Sequence, residues 1–242
     1  MIALLTVALA ALGIADQVLP RAGASGVSHR SHPARELPAS EVGRLRGLEA
    51  GIAWRRSAAV GLPYRGRLVD GVQLPEEGLS FFSWDGRGSH GHRPNPPERR
   101  WGTGGLVRTI LEVCAGFVEA NPEAARCAVG DLSREHGGPF GRQYGGDGHS
   151  SHQNGLDVDV YYPRADGAEL APASAAEIDR RLAQDLVDRF VAAGAEKIFV
   201  GPAIHLHGPP DVVQTLRNHD DHMHVRLPAR LAGRDGPPDG PP

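Results

Sequence analysis

Two short stretches alternate in polarity with the period of a β-strand while carrying ionisable side chains on one face, and no other feature of the chain limits its fold as tightly. In HSSHQNGLDVDVYY, residues 149–162, Gly155 permits a turn and the alternation begins after it. Leu156, Val158 and Val160 then fall on one strand face, Asp157 and Asp159 on the other. Two aspartates on the same face of a core strand are costly unless something positive meets them. In HDDHMHVRL, residues 219–227, the same alternation places His222 and His224 on one face and Met223, Val225 and Leu227 on the other. Taken singly, the first stretch also reads as a solvent-facing acidic strand and the second as a surface histidine cluster. Taken together, they read as two strands that offer a metal-shaped face.

The chemistry follows from residue type and spacing. His152 lies just before the turn and can fold back towards Asp159; an imidazole and a carboxylate are ordinary zinc ligands. If the second strand pairs near the first, His224 completes a His/Asp/His set. A fourth position then stays open, as in catalytic rather than structural zinc. His222 and His219 remain as imidazoles for proton transfer. Two imidazoles and one carboxylate suit zinc best, although ligand type alone also admits iron or copper. The chain has no HEXXH motif and no convincing G-x-S-x-G, which argues against a serine hydrolase of the nucleophile-elbow type.

The 242 residues suffice for one full core. With 26 basic against 29 acidic residues and a net charge of -3, no basic face stands out, and no nucleic-acid partner is expected. The 32 glycines and 20 prolines predict a loop-rich fold. Met1 to Ala15 is an apolar run, too short for a comfortable membrane span of about 20 residues and similar to the apolar part of a secretory signal. No Lys or Arg precedes Arg21. Residues 1–24 are therefore expected to be a signal peptide or apolar anchor, 25–48 a linker, 49–229 the folded domain and 230–242 a disordered tail. Cys114 and Cys127 are either a disulfide closing a short loop or two buried small hydrophobes; neither lies near the histidine cluster in sequence.

Within the domain, Leu106 to Ala120 has helical spacing and stops at Asn121-Pro122. Ala128 and Val129 lead a short strand into Gly130-Asp131-Leu132. Ser174 with Glu177 three residues on reads as the capping box of a second helix, with Ile178, Leu182, Leu186, Val187, Phe190 and Val191 on one face and Gly194 at its end. Ile198-Phe199-Val200 reads as a buried strand. Helices and strands do not alternate regularly, so the expected class is α+β, with a mainly antiparallel sheet carrying the metal site and helices flanking it.

At these residues the sequence resembles the penicillin-insensitive murein endopeptidases, zinc peptidases that share an H-x6-D and an H-x-H motif. Here the motifs are His152 to Asp159 and His222-Met223-His224. The blocks GLPYRGRLVDGVQLP, GDLSREHGGPFG, GHSSHQNGLDVDVYYPR, EKIFVGPAI and HDDHMHVRL extend the resemblance from about Trp54 to Leu227. The resemblance implies that His152, Asp159 and His224 hold one catalytic Zn2+ and that His222 and His219 are the catalytic histidines. It implies an additional metal position at His149, but the partners of that position are not matched, Asp166 being at most a remnant. Related carboxypeptidases use a Glu where this chain has Asp221, a second candidate for the base. The implied reaction is hydrolysis of peptidoglycan cross-links, of the D-alanyl to diaminopimelate type, by a secreted or periplasmic enzyme of the cell envelope with no stable membrane insertion after export. Insensitivity to penicillin follows, because no acyl-enzyme forms. The alternatives are a D,D- or L,D-carboxypeptidase trimming stem peptides and a non-catalytic zinc-stabilised wall-binding module. Asp157 is either an orienting partner of a ligand histidine or a solvent-facing residue. Gln153 and Asn154 either bind substrate or shape the turn. Asp131 and Ser133 are placed near the pocket, and Tyr64, Trp84 and Trp101 either line a groove or pack in the core.

Overall fold

The computed structural model describes residues 37–86, 91, 93–144 and 148–239. The apolar leader at residues 1–24 lies outside the described residues. Helix α1 spans Ala39–Ala50, followed by the hairpin β1 (Ala58–Leu62) and β2 (Arg65–Val69) and the short strands β3 (Val72–Gln73), β4 (Phe81–Ser83) and β5 (Trp101–Gly102). Then come α2 (Gly104–Ala120), β6 (Cys127–Val129), β7 (Asp157–Tyr161), α3 (Arg180–Ala192), β8 (Lys197–Val200), β9 (Val213–Thr215) and β10 (His222–Arg226).

Six strands form the main sheet in the order β4-β6-β7-β10-β8-β9. Its centre is antiparallel, and each edge strand, β4 and β9, pairs in parallel with its neighbour. The fold is α+β with a mixed, mainly antiparallel sheet, as the irregular order of elements predicts. Both central strands bury their apolar faces completely: Val158 and Val160 on β7, Met223 and Val225 on β10. Against them pack Leu106, Ile110, Cys114 and Phe117 of α2 and Leu182, Leu186, Val187 and Phe190 of α3. The helices thus cover one face of the sheet, and the ionisable side chains of β7 and β10 are left on the other.

α2 starts two residues before the expected Leu106, where the Thr103 side chain accepts from the Leu106 backbone N–H. α3 corrects the expected capping box. Its N-cap is Asp179, which accepts from Leu182 N at 3.0 Å, and Ser174 makes no cap bond. The Glu177 carboxylate is occupied by Arg164 and by the Ala173 N–H, and Ile178 is extended, so the helix cannot begin earlier. Gly194 closes it at φ +88°, as expected.

Both ends of the expected domain extend further. The expected linker carries α1 from Ala39, whose Leu45 is fully buried and whose Arg44 pairs with Glu77 at 2.6 Å. The expected disordered tail packs over the start of α2. Ala232 O accepts from Gly105 N at 3.2 Å, and Asp235 Oδ1 accepts from the Ser57 hydroxyl at 3.1 Å. A Cβ on Gly105 would stand 1.7 Å from Leu231 O, so only glycine admits this approach. Periodicity misses both segments because each is tied by single anchors rather than by a repeating apolar face. Cys114 and Cys127 are both buried and unbridged. Burial, with Cys127 beside it, pushes the Cys114 thiol well up. Among the described residues no helix is long and apolar enough to cross a membrane.

Candidate metal centre

β7 and β10 are antiparallel neighbours, and their register sets His224 directly opposite Asp159, Arg226 opposite Asp157 and His222 opposite Tyr161. The third component arrives from the turn before β7. His152 has φ +62°, a conformation that histidine tolerates better than most residues but that needs support. Support comes from all sides. His152 N donates to Asp157 Oδ2 at 2.9 Å, its carbonyl accepts from the Ser133 hydroxyl, and its Nδ1 donates to Leu132 O. On the far side of the turn, Gln153 N donates to Pro63 O at 2.9 Å and Gly138 N to Gln153 O at 2.8 Å. The amide of Asn154 donates to Gly61 O at 3.3 Å. Gln153 and Asn154 therefore shape the turn.

The Nδ1–H bond to Leu132 leaves the His152 Nε2 lone pair pointing inward. Nε2 lies 3.1 Å from His224 Nδ1 and 3.3 Å from Asp159 Oδ1, and His224 Nδ1 lies 3.1 Å from the same Oδ1. Three ligands of a tetrahedral zinc, with bonds of about 2.0–2.1 Å, stand about 3.3–3.4 Å apart. All three residues are at most 5% exposed. The donor set, two imidazole nitrogens and a carboxylate oxygen, fits zinc.

Asp157 is fully buried and faces no solvent. Its Oδ1 accepts from Arg226 Nε at 2.6 Å, and its carboxylate lies 3.4 Å from His224 Nε2. Nε2 has no other hydrogen-bond partner among the described residues. It becomes the proton-bearing nitrogen once Nδ1 serves as a ligand. Without the metal, burial opposes a charge on His224, but Asp157 and Asp159 outweigh it and push the imidazole up to about 9. Burial instead lowers His152. Burial opposes ionisation of Asp159, yet the neighbouring His152 and His224 hold its carboxyl well below the usual range.

His149 reaches the same cluster differently. His149, His152 and Asp159 each offer a donor atom within 4.8 Å of the others. However, His149 Nε2 is engaged with Asp131 Oδ2 at 2.7 Å, and Nδ1 lies 3.8 Å from Asp159 Oδ2, not from the oxygen in the triangle. Asp131 also binds Arg99 and accepts from Asn95 Nδ2 at 2.9 Å, and Arg99 reaches Asp85 at 2.8 Å. Asp131 and Ser133 thus stand beside the site as the sequence suggests. Asn95, Arg99 and Asp85 are the residues that sequence reasoning missed; an arginine-rich composition hides one buried arginine among many. Asp166 spends both oxygens on Arg164 and shares nothing with His149.

His222 Nδ1 contacts Asp221 Oδ1 at 2.7 Å, which turns Nε2 towards the cluster, 4.0 Å from Asp159 Oδ1. His219 donates Nδ1–H to Arg217 O at 2.8 Å, and its ring centroid is 5.0 Å from that of His222 and 6.2 Å from that of His224. Burial opposes protonation of His222, but Asp221 and Asp159 raise it; His219 lacks such a carboxylate contact and burial lowers it. Two imidazoles side by side are thereby pushed apart in acidity. Trp84 is buried in a small apolar cluster with Phe82, and Trp101 lies in β5, whereas Tyr64 is 59% exposed.

Residues 59–207 match the family described as penicillin-insensitive murein endopeptidase. The match includes His149, His152 and Asp159 and ends before His219, His222 and His224. No curated protein matches the chain. A match over more than half of the 242 residues makes the chain a member of that family, and so a peptidase acting on murein.

Proposed function

We propose, starting from membership of that family, that the protein is a zinc endopeptidase that hydrolyses the D-alanyl to diaminopimelate amide of murein cross-links. The observation that carries this reading is the buried triangle of His152 Nε2, Asp159 Oδ1 and His224 Nδ1, with edges of 3.1–3.3 Å and two further histidines beside it. His152, Asp159 and His224 hold one ion. When bound, zinc supplies Lewis acidity at the scissile carbonyl and lowers the pKa of a water towards about 7.

The remaining work belongs to the chain's own side chains. His219, kept neutral by burial, accepts the proton of the attacking water at Nε2, because Nδ1–H is committed to Arg217 O. His222, whose protonation Asp221 and Asp159 favour, steadies the developing oxyanion and donates to the departing amine. Asp221 acts through His222 as a positioning residue rather than as the base. His149 is an anchored neighbour of the site, since Asp131 takes its Nε2, and no second metal is needed. No serine or other nucleophile is acylated in this scheme, which accounts for insensitivity to penicillin. The site of action is the cell envelope, reached by export on the apolar leader.

Mass spectrometry of digested sacculi tests the bond. Loss of cross-linked dimers with release of monomers is expected. Loss of terminal alanine from monomers, with dimers intact, would instead make the enzyme a carboxypeptidase.

A further inference from the structure

The β1–β2 hairpin carries an exposed face that the chemistry above does not use. Its register pairs Val60 with Arg67 and Leu62 with Arg65 across the two strands. Alternation puts these four side chains on one face, and Ala59, Gly61, Gly66 and Leu68 on the other. The inner face is seated: Leu68 is buried, and a Cβ on Gly66 would lie 2.9 Å from Asn154 Cβ. The outer face is open, with Val60 38%, Leu62 43% and the tip residue Tyr64 59% exposed. Among the described residues neither Arg65 nor Arg67 has an acidic partner. The protein as a whole is acidic, with a net charge of -3, so this is a local concentration of unanswered positive charge.

The hairpin is also fixed to the metal centre. Pro63 O at its tip accepts from Gln153 N, the residue next to the ligand His152. Arg67 bridges the 134–138 loop at Gly137, and a Cβ on Gly137 would stand 2.1 Å from Gln153 O. The hairpin backbone is thereby tied to the turn that carries His152.

We propose that the outer face of the β1–β2 hairpin is a substrate-holding surface for the stem peptide of murein, an extended anionic peptide. This inference rests on the murein endopeptidase reading and deepens it. A stem peptide carries free carboxylates and alanine methyls along an extended backbone. Arg65 and Arg67 answer the carboxylates, and Val60 and Leu62 the methyls. Residues two apart on a strand repeat at about 7 Å, the same spacing as alternate side chains of an extended peptide.

The test compares the zinc-loaded full chain with the double variant Arg65→Ser/Arg67→Ser and with Leu62→Ser, all exposed positions. Rates are followed against sacculus concentration at low and high salt, alongside zinc content. The expected result for the double variant is a KM raised about tenfold, an unchanged kcat and zinc content, and loss of the salt sensitivity seen in the unmodified protein. Soluble stem peptides should inhibit the unmodified protein and lose potency against the variant. Unchanged KM in both variants, while the unmodified protein digests sacculi, overturns the assignment. So does inhibition by peptide-stripped glycan in place of stem peptide, or a change in oligomeric state, which would make the face a contact between copies. If the unmodified zinc-loaded protein leaves sacculi intact, the murein reading itself fails and takes this one with it.

Discussion

Asp157 is the residue at which stability and metal binding meet. It is fully buried and uses both oxygens: Oδ1 accepts from Arg226 Nε at 2.6 Å, and Oδ2 from His152 N at 2.9 Å. Burial opposes its charge, but His224, His152 and Arg226 around it hold the carboxyl far below the usual range. Its contribution to stability is thus present above the unfolded carboxylate pKa of about 3.9 and is lost as pH falls below that. Asp157→Ala leaves a guanidinium and a strained His152 N–H without an acceptor, at a cost of about 3–5 kcal/mol. In a protein of this size each kcal/mol lowers Tm by about 2–4 °C, so the melt should fall by about 6–20 °C. Asp157→Asn keeps the volume but offers one acceptor oxygen where two are used. It also removes the charge 3.4 Å from His224 Nε2, which should weaken zinc about 10–100-fold. Thermal melts of the metal-free protein and zinc competition against a chromophoric chelator measure the two effects separately. An Asp157→Asn variant that melts and binds zinc like the unmodified protein would refute the role assigned to this carboxylate.

Other outcomes follow from the same geometry. Asp157 and Asp159 push the His224 imidazole up to about 9, and it must lose its proton to bind through Nδ1, so zinc affinity should rise about tenfold per pH unit between about pH 6 and 8. Competition titrations across that range check it, and a flat profile would show that His224 is not a ligand. His219→Ala and His222→Ala should each lower kcat on sacculi by about 10²–10⁴ while zinc content by elemental analysis stays at one per chain. Loss of zinc in either variant would move that histidine from catalysis to ligation.

Much of the site is legible in the sequence because strand alternation is rigid. Once Val158, Val160, Met223 and Val225 are assigned to the core, Asp157, Asp159, His222 and His224 have only the opposite face available. Alternation alone does not separate ligand from catalyst. The register sets His224 across from Asp159 and His222 across from Tyr161, which supports the proposed division of roles. Resemblance to the family names the same residues. Less legible are features held by single contacts between distant segments. Neither the packing of Leu45 beneath α1 nor the clasp of Asp235 on Ser57 leaves a periodic trace. The network from Asp85 through Arg99 and Asp131 to His149 joins residues up to 64 positions apart and has no local signature. The α3 cap lies at Asp179 rather than Ser174 because Arg164, remote in sequence, claims Glu177.

In the proposed scheme murein hydrolysis depends on one zinc held by His152, Asp159 and His224. Sacculus digestion by the purified protein, after chelation and again after zinc is restored, measures that dependence directly. Hydrolysis should stop on chelation and return at one zinc per chain, and Asp159→Ala should neither bind zinc nor recover. Digestion that continues at full rate in the metal-free protein would rule out a role for zinc in the hydrolysis.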